Sequence, residues 1–348
     1  MLFGTPPKID LRQLPKVELH RHLDGSVRLS TILDLAEKYG LDVGARTVDD
    51  LRRAATVTRP REDLAAVLAC FDTMQRVLCS AEAIRRVTFE NIEDAWKDGV
   101  KLLELRFAPA FIARGKNLSN DEIIEAVLDG LALGMFAHPI EVGLIGILPR
   151  SFPMEDNARA ARDLVRWRSN GAPHADRLCG LDLADAEDGV DPAAFVPLVE
   201  AARGAGMGIT IHSGENTSGA HVRRTLDLFS PCRIGHGIKA WGDDESVRRL
   251  RDRDVILEIS PTSNWLTRSV PSIQEHPLPR LYRAGVSVCI NSDDPNLMGI
   301  DLVHEYELCS RHYGFTESDF MAVNRMALTH SFLPDGVKER VSSRYFSS

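Results

Sequence analysis

Residues 17–22 read Val-Glu-Leu-His-Arg-His, and this short run predicts a β-strand that ends in two histidines. Seven further apolar, β-branched runs follow it along the chain, at residues 100–107, 140–148, 178–183, 208–212, 234–238, 255–259 and 286–290. The sequence therefore predicts eight strands, and their near-continuous apolar character indicates a sheet that is buried on both faces.

Segments with helical periodicity separate these strands, and several end near a glycine, which often terminates a helix. The clearest are residues 30–39, 81–97, 120–136, 192–203 and 273–284. Eight apolar strands that alternate with helices predict an α/β fold of the (β/α)8 type, a TIM barrel with parallel strands. An open, doubly wound sheet is the alternative.

The chain has no linker, repeat or low-complexity tract, so residues 1–348 are predicted to form a single domain. Residues 41–80, between the first two strands, are longer than one crossover helix requires. This insertion either folds over the mouth of the barrel as a lid or is inert.

The composition excludes several classes of protein. There are 42 Lys and Arg against 50 Asp and Glu, and the net charge of -8 argues against a nucleic-acid partner. Charged residues and a proline interrupt the most apolar region, residues 127–148, so no membrane span is expected. Six scattered cysteines without a CxxC motif, and the lack of a signal-peptide core, predict reduced thiols in a cytoplasmic protein.

Histidine and aspartate residues lie at the carboxyl ends of the predicted strands. Alternation along the first strand places His20 and His22 on one face, and His212 ends the fifth strand. Asp293 follows the eighth strand. These ends converge on one rim of a parallel barrel, so three imidazoles and one carboxylate can hold one Zn²⁺ or a similar cation. Such a cation lowers the pKa of its bound water to about 7.

The turn after the fifth strand carries a candidate general acid. Glu215 follows His212 by three residues, and Gly214 permits the tight turn that brings the carboxyl group to the mouth. Proton transfer by such a group typically contributes about 10² to 10⁴ in rate. We therefore predict that Glu215 is the catalytic acid.

Two further residues are predicted to act beside the metal. Asp294 points away from its neighbour Asp293 and is expected to hold a substrate nitrogen or the attacking water. His236, between two glycines, is either a fourth imidazole ligand or a base that orients the water. The second role is preferred, because the predicted ligands already complete a catalytic site.

Six motifs follow one another in a fixed order: residues 15–25 (PKVELHRHLDG), 104–107 (ELRF), 182–184 (DLA), 212–215 (HSGE), 234–237 (IGHG) and 292–295 (SDDP). Together they resemble the adenosine deaminase family of metal-dependent barrel hydrolases. The resemblance implies one zinc ion held by His20, His22, His212 and Asp293. It also implies that Glu215 protonates a purine ring nitrogen, that His236 deprotonates or orients the water, and that Asp294 hydrogen-bonds the water and the base.

The resemblance also implies which residues contact the substrate, namely Asp24, His22, Asp185 and Asp294. Asp24 matches the position that contacts ribose, where related adenine deaminases tend to carry glutamate, so a nucleoside is favoured over a free base. The segment with Leu64, Val67, Leu68 and Phe71 resembles the hydrophobic gate of the family, or is a helix packed on the barrel.

Two positions depart from the family pattern. Asp185 stands where the family usually has a glycine whose backbone N–H contacts the purine. Ser151, after Arg150, stands where many relatives carry a histidine near the sugar. Both departures concern the identity of the nucleoside and leave the hydrolytic centre unchanged.

The predicted function is therefore zinc-dependent hydrolytic deamination of adenosine, or of a closely related 6-aminopurine nucleoside, to the 6-oxo product and ammonia. The alternatives are a modified or extended adenine nucleoside, adenine itself, or a cyclic amide or ester as substrate. A barrel that binds a nucleoside without turnover is a further alternative. The motifs of cytidine-deaminase-like enzymes, P-loops and dinucleotide sites are not found.

Overall fold

The computed structural model of the chain describes residues 10–60 and 70–347. Eight parallel strands lie side by side in sequence order. They are β1 Lys16–His22, β2 Val100–Phe107, β3 Glu141–Pro149, β4 Leu178–Ala184, β5 Gly208–Ser213, β6 Arg233–His236, β7 Ile256–Ile259 and β8 Val288–Ile290. The backbone N–H of His22 donates to the carbonyl of Asp293 (2.9 Å), which joins the end of β8 to β1. The predicted (β/α)8 barrel is confirmed.

Helices connect and surround the strands. Those before β4 are α1 Leu29–Tyr39, α2 Val48–Ala55, α3 Phe71–Val77, α4 Ala81–Lys97, α5 Pro109–Ala113, α6 Asn120–Ala137 and α7 Met154–Ser169. Those after β4 are α8 Val196–Gly204, α9 Gly219–Phe229, α10 Asp244–Asp252, α11 Pro261–Leu266, α12 Leu278–Arg283, α13 Pro295–Met298, α14 Leu302–Leu308, α15 Glu317–His330 and α16 Asp335–Tyr345. None of these helices is long and apolar enough to cross a membrane.

Each observed strand overlaps its predicted run, with ends shifted by no more than two residues. Two predicted helices are divided. Residues 192–203 form a 3-10 turn, Pro192–Phe195, followed by α8, and residues 273–284 form a 3-10 turn, Ile273–Glu275, followed by α12. Pro277 stands before α12 and has no backbone N–H to continue a helix from the preceding turn.

Strand β1 departs from simple alternation. Its pairing with β2 shifts in register between Glu18 and Arg21. The two side chains form an ion pair, with Nε of Arg21 donating to Oε2 of Glu18 (2.9 Å). His20 and His22 nevertheless approach each other, with their Nε2 atoms 3.3 Å apart. The predicted placement of both imidazoles together is correct, although the strand is irregular.

A network of charged side chains is buried inside the barrel. Arg106 lies 2.7 Å from Asp182 and 2.8 Å from Glu258. Arg233 lies 2.7 Å from Glu258 and also pairs with Glu104. All five side chains have no exposed surface. Their charges must be balanced within the protein, because none of these side chains is exposed to solvent.

We expect Arg233→Met to destabilise the protein strongly, since it leaves Glu104 and Glu258 with less compensating charge. Loss of one partner from a buried ion pair costs about 3–5 kcal/mol. The measurement is the urea unfolding midpoint at pH 7. The matched control is Arg248→Met, whose pairs with Glu245 and Asp252 are exposed, and which should unfold close to the wild type. Equal midpoints for the two variants would contradict the role of the network.

Candidate active site

The carboxyl ends of the strands bring the predicted histidine and aspartate residues together. Ring centroids of His20 and His212 lie 4.7 Å apart, and those of His20 and His22 lie 5.2 Å apart. Oδ1 of Asp293 is 3.2 Å from Nε2 of His20 and 3.4 Å from Nε2 of His22. The ring of His236 belongs to the same group, 5.0 Å from that of His20.

Three of the donor atoms have the spacing of one face of a tetrahedral metal site. Nε2 of His20, Nε2 of His22 and Oδ1 of Asp293 are separated by 3.2 to 3.4 Å. Metal–ligand bonds of about 2.0–2.1 Å in a tetrahedral zinc site require donor separations of about 3.3–3.4 Å. These residues therefore fit a metal ion. Distances alone also group His20 with His212 and His236, whose donor atoms lie within 4.8 Å of one another.

Two buried carboxylates orient two of these imidazoles. Nδ1 of His20 donates to Oε2 of Glu258 (2.9 Å), and Nδ1 of His212 donates to Asp182, whose Oδ2 lies 3.0 Å away. A carboxylate only accepts, so the neutral form of each ring carries its proton on Nδ1 and presents an unprotonated Nε2 to the cluster. Burial lowers the pKa of His212 to about 4, which keeps this ring neutral.

The turn after β5 directs Glu215 into the site. Gly214 has a φ of +69°, a left-handed conformation that glycine adopts readily. Glu187 accepts hydrogen bonds from the backbone N–H groups of Gly214 (2.7 Å) and Glu215 (2.8 Å), and from the hydroxyl of Thr217 (2.7 Å). Thr267 donates its hydroxyl to Oε1 of Glu215 (3.0 Å). Burial raises the pKa of Glu215, so its carboxyl group retains a proton to higher pH than an exposed glutamate.

Asp294 and Asp24 provide two further buried carboxyl groups. A Cβ added at Gly25 would lie 1.8 Å from Oδ1 of Asp294, so the absence of a side chain at Gly25 makes room for this group. Nε2 of Gln75 donates to Oδ2 of Asp24 (2.5 Å). Burial raises the pKa of Asp24 to about 6, and burial together with Asp293 raises the pKa of Asp294 well above its usual value. Oδ1 of both residues is buried and has no hydrogen-bond partner among the described residues.

Asp185 and Ser151, the two departures from the family pattern, are in contact with each other. The carboxylate of Asp185 accepts hydrogen bonds from the backbone N–H of Ser151 (3.2 Å) and from its hydroxyl. It also accepts from the N–H of Ala186 (2.7 Å). The backbone of Asp185 has a φ of +73°, which glycine would adopt more easily. The carboxylate of Asp185, which a glycine would lack, is therefore held at the rim by hydrogen bonds from Ser151.

A cavity of about 290 Å³ lies over these residues. Its volume is close to the lower end of the about 300–1,000 Å³ typical of small-molecule sites. All the predicted substrate-binding residues line it: His22, Asp24, Asp185 and Asp294. Phe71 and Asp72 of α3 also line it, so the insertion reaches the mouth of the barrel. The other predicted gate residues, Leu64, Val67 and Leu68, lie outside the described residues.

Several residues around the site were missed by sequence reasoning. Glu258 and Glu187 support the histidines and Glu215, but they carry no motif of their own. Asn264 and Thr267 come just after β7, where Nδ2 of Asn264 contacts Nδ1 of His236 at 3.0 Å. The position after a strand was an available signal, because residues at the carboxyl ends of barrel strands form the site.

This fold and site define the class of metal-dependent barrel hydrolases, because donors for a cation and an acidic carboxyl group share the carboxyl-end rim. The family model described as "Adenosine deaminase" matches residues 15–346. The chain belongs to the adenosine deaminase family, and the resemblance drawn from its motifs is confirmed.

Individual relatives agree with this assignment. An adenosine deaminase of Aliivibrio fischeri is 35% identical over 94% of this chain and 97% of the relative. An adenine deaminase from Arthrobacter aurescens superposes with a TM-score of 0.86 at 27% identity, over 96% of this chain and 98% of the other. The N6-methyl-AMP deaminase of Arabidopsis thaliana superposes with a TM-score of 0.82 at 29% identity, over 97% and 98%. The chain is therefore a hydrolytic deaminase.

A zinc-bound amidohydrolase from Burkholderia ambifaria shares the fold. Its TM-score is 0.85 at 24% identity, over 96% of this chain and 90% of the other. The adenine deaminase and the N6-methyl-AMP deaminase described above are named for different substrates, although they share this architecture.

We expect Glu187→Ala to lower kcat by about 10-fold or more, because the turn that positions Glu215 loses two backbone hydrogen bonds and misplaced groups react slowly. The matched control is Thr217→Val, which removes only the hydroxyl bond to Glu187 and should have a smaller effect. Steady-state kinetics with metal-loaded protein measures both. A Glu187→Ala variant that folds and keeps full kcat would contradict this role.

Proposed function

We propose that this chain is a zinc-dependent adenosine deaminase, which converts adenosine or a closely related 6-aminopurine nucleoside to the 6-oxo product and ammonia. The observation that carries the proposal is a cavity whose lining includes two buried carboxyl oxygens, Oδ1 of Asp24 and Oδ1 of Asp294, that have no hydrogen-bond partner within residues 10–60 and 70–347. Buried polar atoms are rarely left unpaired, so both are expected to bind polar groups of the substrate.

The proposed zinc ligands are His20, His22, His212 and Asp293. Support comes from the donor spacing and from the carboxylates that turn Nε2 of His20 and His212 toward the cluster. When bound, one zinc ion per chain would supply a hydroxide nucleophile at neutral pH.

The side chains at the cavity are proposed to move protons and to orient the purine. Glu215, with its raised pKa, is proposed to donate a proton to the ring nitrogen beside the amino-bearing carbon. Asp294, whose pKa is also raised, is proposed to hydrogen-bond another ring nitrogen and the attacking oxygen. His236 is proposed to orient that oxygen. Asp24 is proposed to hold a ribose hydroxyl, with Gln75 fixing its carboxyl group.

The charges of the lining favour a neutral nucleoside over a nucleotide. Asp72 and Asp185 line the cavity in addition to the catalytic carboxyl groups, and Arg114 is the only lysine or arginine among its described lining residues. A 5′-phosphate would approach several carboxylates and gain one cation. Adenosine carries no such charge, so its binding avoids this repulsion.

A substrate panel tests the proposal. Purified, zinc-loaded protein is assayed for ammonia release from adenosine, adenine, AMP and N6-methyladenosine. The highest kcat/KM is expected for adenosine, with AMP disfavoured by the lining charges. Preference for adenine or AMP would contradict the nucleoside assignment. Tight binding of adenosine without ammonia release would favour a nucleoside-binding barrel.

We expect Glu215→Gln to retain zinc but to lower turnover by about 10² or more, because the amide cannot donate a proton to the ring nitrogen. Its geometry is conserved, since Thr267 can still donate to the side-chain oxygen. The companion variant is His212→Ala, which should lose metal affinity as well as activity. Zinc content and kcat measure both effects. Full activity of Glu215→Gln would refute the assignment of the acid.

A further inference from the structure

A chain of buried hydrogen bonds lies behind His236. The backbone N–H of Leu278 donates to Nδ1 of His276 (3.0 Å). Nε2 of His276 is 3.1 Å from Oδ1 of Asn264, and Nδ2 of Asn264 is 3.0 Å from Nδ1 of His236. His236, Asn264 and His276 are at most 2% exposed. The chain thus connects α12, α11 and the end of β6 in the interior of the protein.

The backbone N–H of Leu278 fixes which atoms donate and which accept along this series of hydrogen bonds. A backbone N–H can only donate, so Nδ1 of His276 must accept and the proton of this ring lies on Nε2. That proton is donated to Oδ1 of Asn264, which leaves the Asn264 amide group as a donor toward His236. Nδ1 of His236 therefore accepts, and the neutral ring carries its proton on Nε2.

The reverse direction would leave buried donors facing each other. If the Asn264 amide were turned over, its NH2 group would meet Nε2–H of His276, and each unpaired buried group costs about 1–3 kcal/mol. Protonation of His276 on both nitrogens is opposed as well, because burial, and then His236, lowers the pKa of His276 to about 3. No group in this series of hydrogen bonds therefore accepts a hydrogen bond from Nδ1 of His236.

We propose that Asn264 and His276 are positioning residues that hold His236 as the tautomer protonated on Nε2, so that it acts in the site as a hydrogen-bond donor. The proposal rests on the proposed function for the presence of reacting atoms beside His236. Of the two roles that the family resemblance implies for His236, it excludes deprotonation of the water, because Nε2 has no free lone pair, and it retains orientation of the water. For the same reason Nε2 of His236 does not ligate the metal, although distances group it with His20 and His212.

The surroundings of Nε2 are suited to a donor. Oε2 of Glu215 and Oδ2 of Asp293 are each 3.8 Å from this nitrogen. Both distances exceed a hydrogen bond, so the N–H is directed at a space bordered by two carboxyl groups. An oxygen atom that adds to the purine from this space would accept the hydrogen bond and be oriented by it.

Nitrogen-15 NMR of histidine-labelled protein tests the proposal without any substrate. The spectrum is recorded on the metal-free and the zinc-loaded chain, and the His236 signals are assigned by their loss in His236→Gln. In both forms the correlations are expected to place the proton of neutral His236 on Nε2, with Nδ1 unprotonated. A proton on Nδ1 in the zinc-loaded chain would overturn the proposal.

Variants then test whether the hydrogen bonds from His276 and Asn264 determine which nitrogen of His236 is protonated. Asn264→Ala removes the donor and His276→Ala removes its support, and each is expected to weaken the Nε2–H preference. Their kcat should fall by about 10² or more with little change in KM, as for loss of a positioned proton-bearing group. His276→Gln retains a side-chain N–H for Asn264 and should restore both the NMR pattern and most of the activity.

The matched control is Asn324→Ala, which truncates another buried amide, one that accepts from the N–H of Val17 and binds the hydroxyl of Tyr306. It should lower stability but leave the His236 signals as in the wild type. Unchanged signals and kcat in folded Asn264→Ala would overturn the proposal. If the NMR pattern is found but adenosine is not deaminated, the positioning inference stands and the proposed substrate fails.

Discussion

Arg106 supports the site from inside the barrel. Its guanidinium group bonds Asp182 and Glu258 at once, and a further bond of 2.6 Å goes to the backbone carbonyl of Leu19. Burial by itself would raise the pKa of Asp182, but His212 and Arg106 together hold it well below its usual value. Asp182 therefore remains an acceptor for His212. The orientation of the proposed metal-binding nitrogens thus depends on a charge that does not line the cavity.

Three non-glycine residues at the same rim have a strained backbone. Asp185, His236 and Asp293 all have left-handed φ values, of +73°, +60° and +62°. Such conformations cost a non-glycine residue about 1–3 kcal/mol and persist where the surroundings determine them. At Asp293 the surroundings are the backbone bonds to β1, and at His236 they include Asn264. Contacts of the folded barrel therefore offset the conformational cost of orienting these side chains.

The barrel and the residues at its rim could be predicted from the sequence, because both follow from local sequence patterns. Apolar runs predict strands, and a polar residue at a strand end is placed by barrel geometry alone. The register shift in β1 could not be read in this way, since Glu18 and His20 would share a face in a regular strand. The buried ions were also unpredictable, because Arg233 and its partners Glu104 and Glu258 meet only after three distant strands are paired.

The group that hydrogen-bonds Nδ1 of each imidazole, on the side away from the cavity, determines whether Nε2 on the cavity side can bind a cation or donate a hydrogen bond. A carboxylate behind His20 and His212 accepts a hydrogen bond from Nδ1–H, so that in the neutral ring Nε2 keeps a lone pair, which is the state that a cation requires. An amide donor behind His236 has the opposite effect and leaves a proton on Nε2. Three similar rings in one cluster therefore acquire two different functions from neighbours outside the cavity. Donor-atom distances alone treat the three rings as equivalent, whereas their hydrogen bonds separate two proposed metal-binding rings from one proposed hydrogen-bond donor.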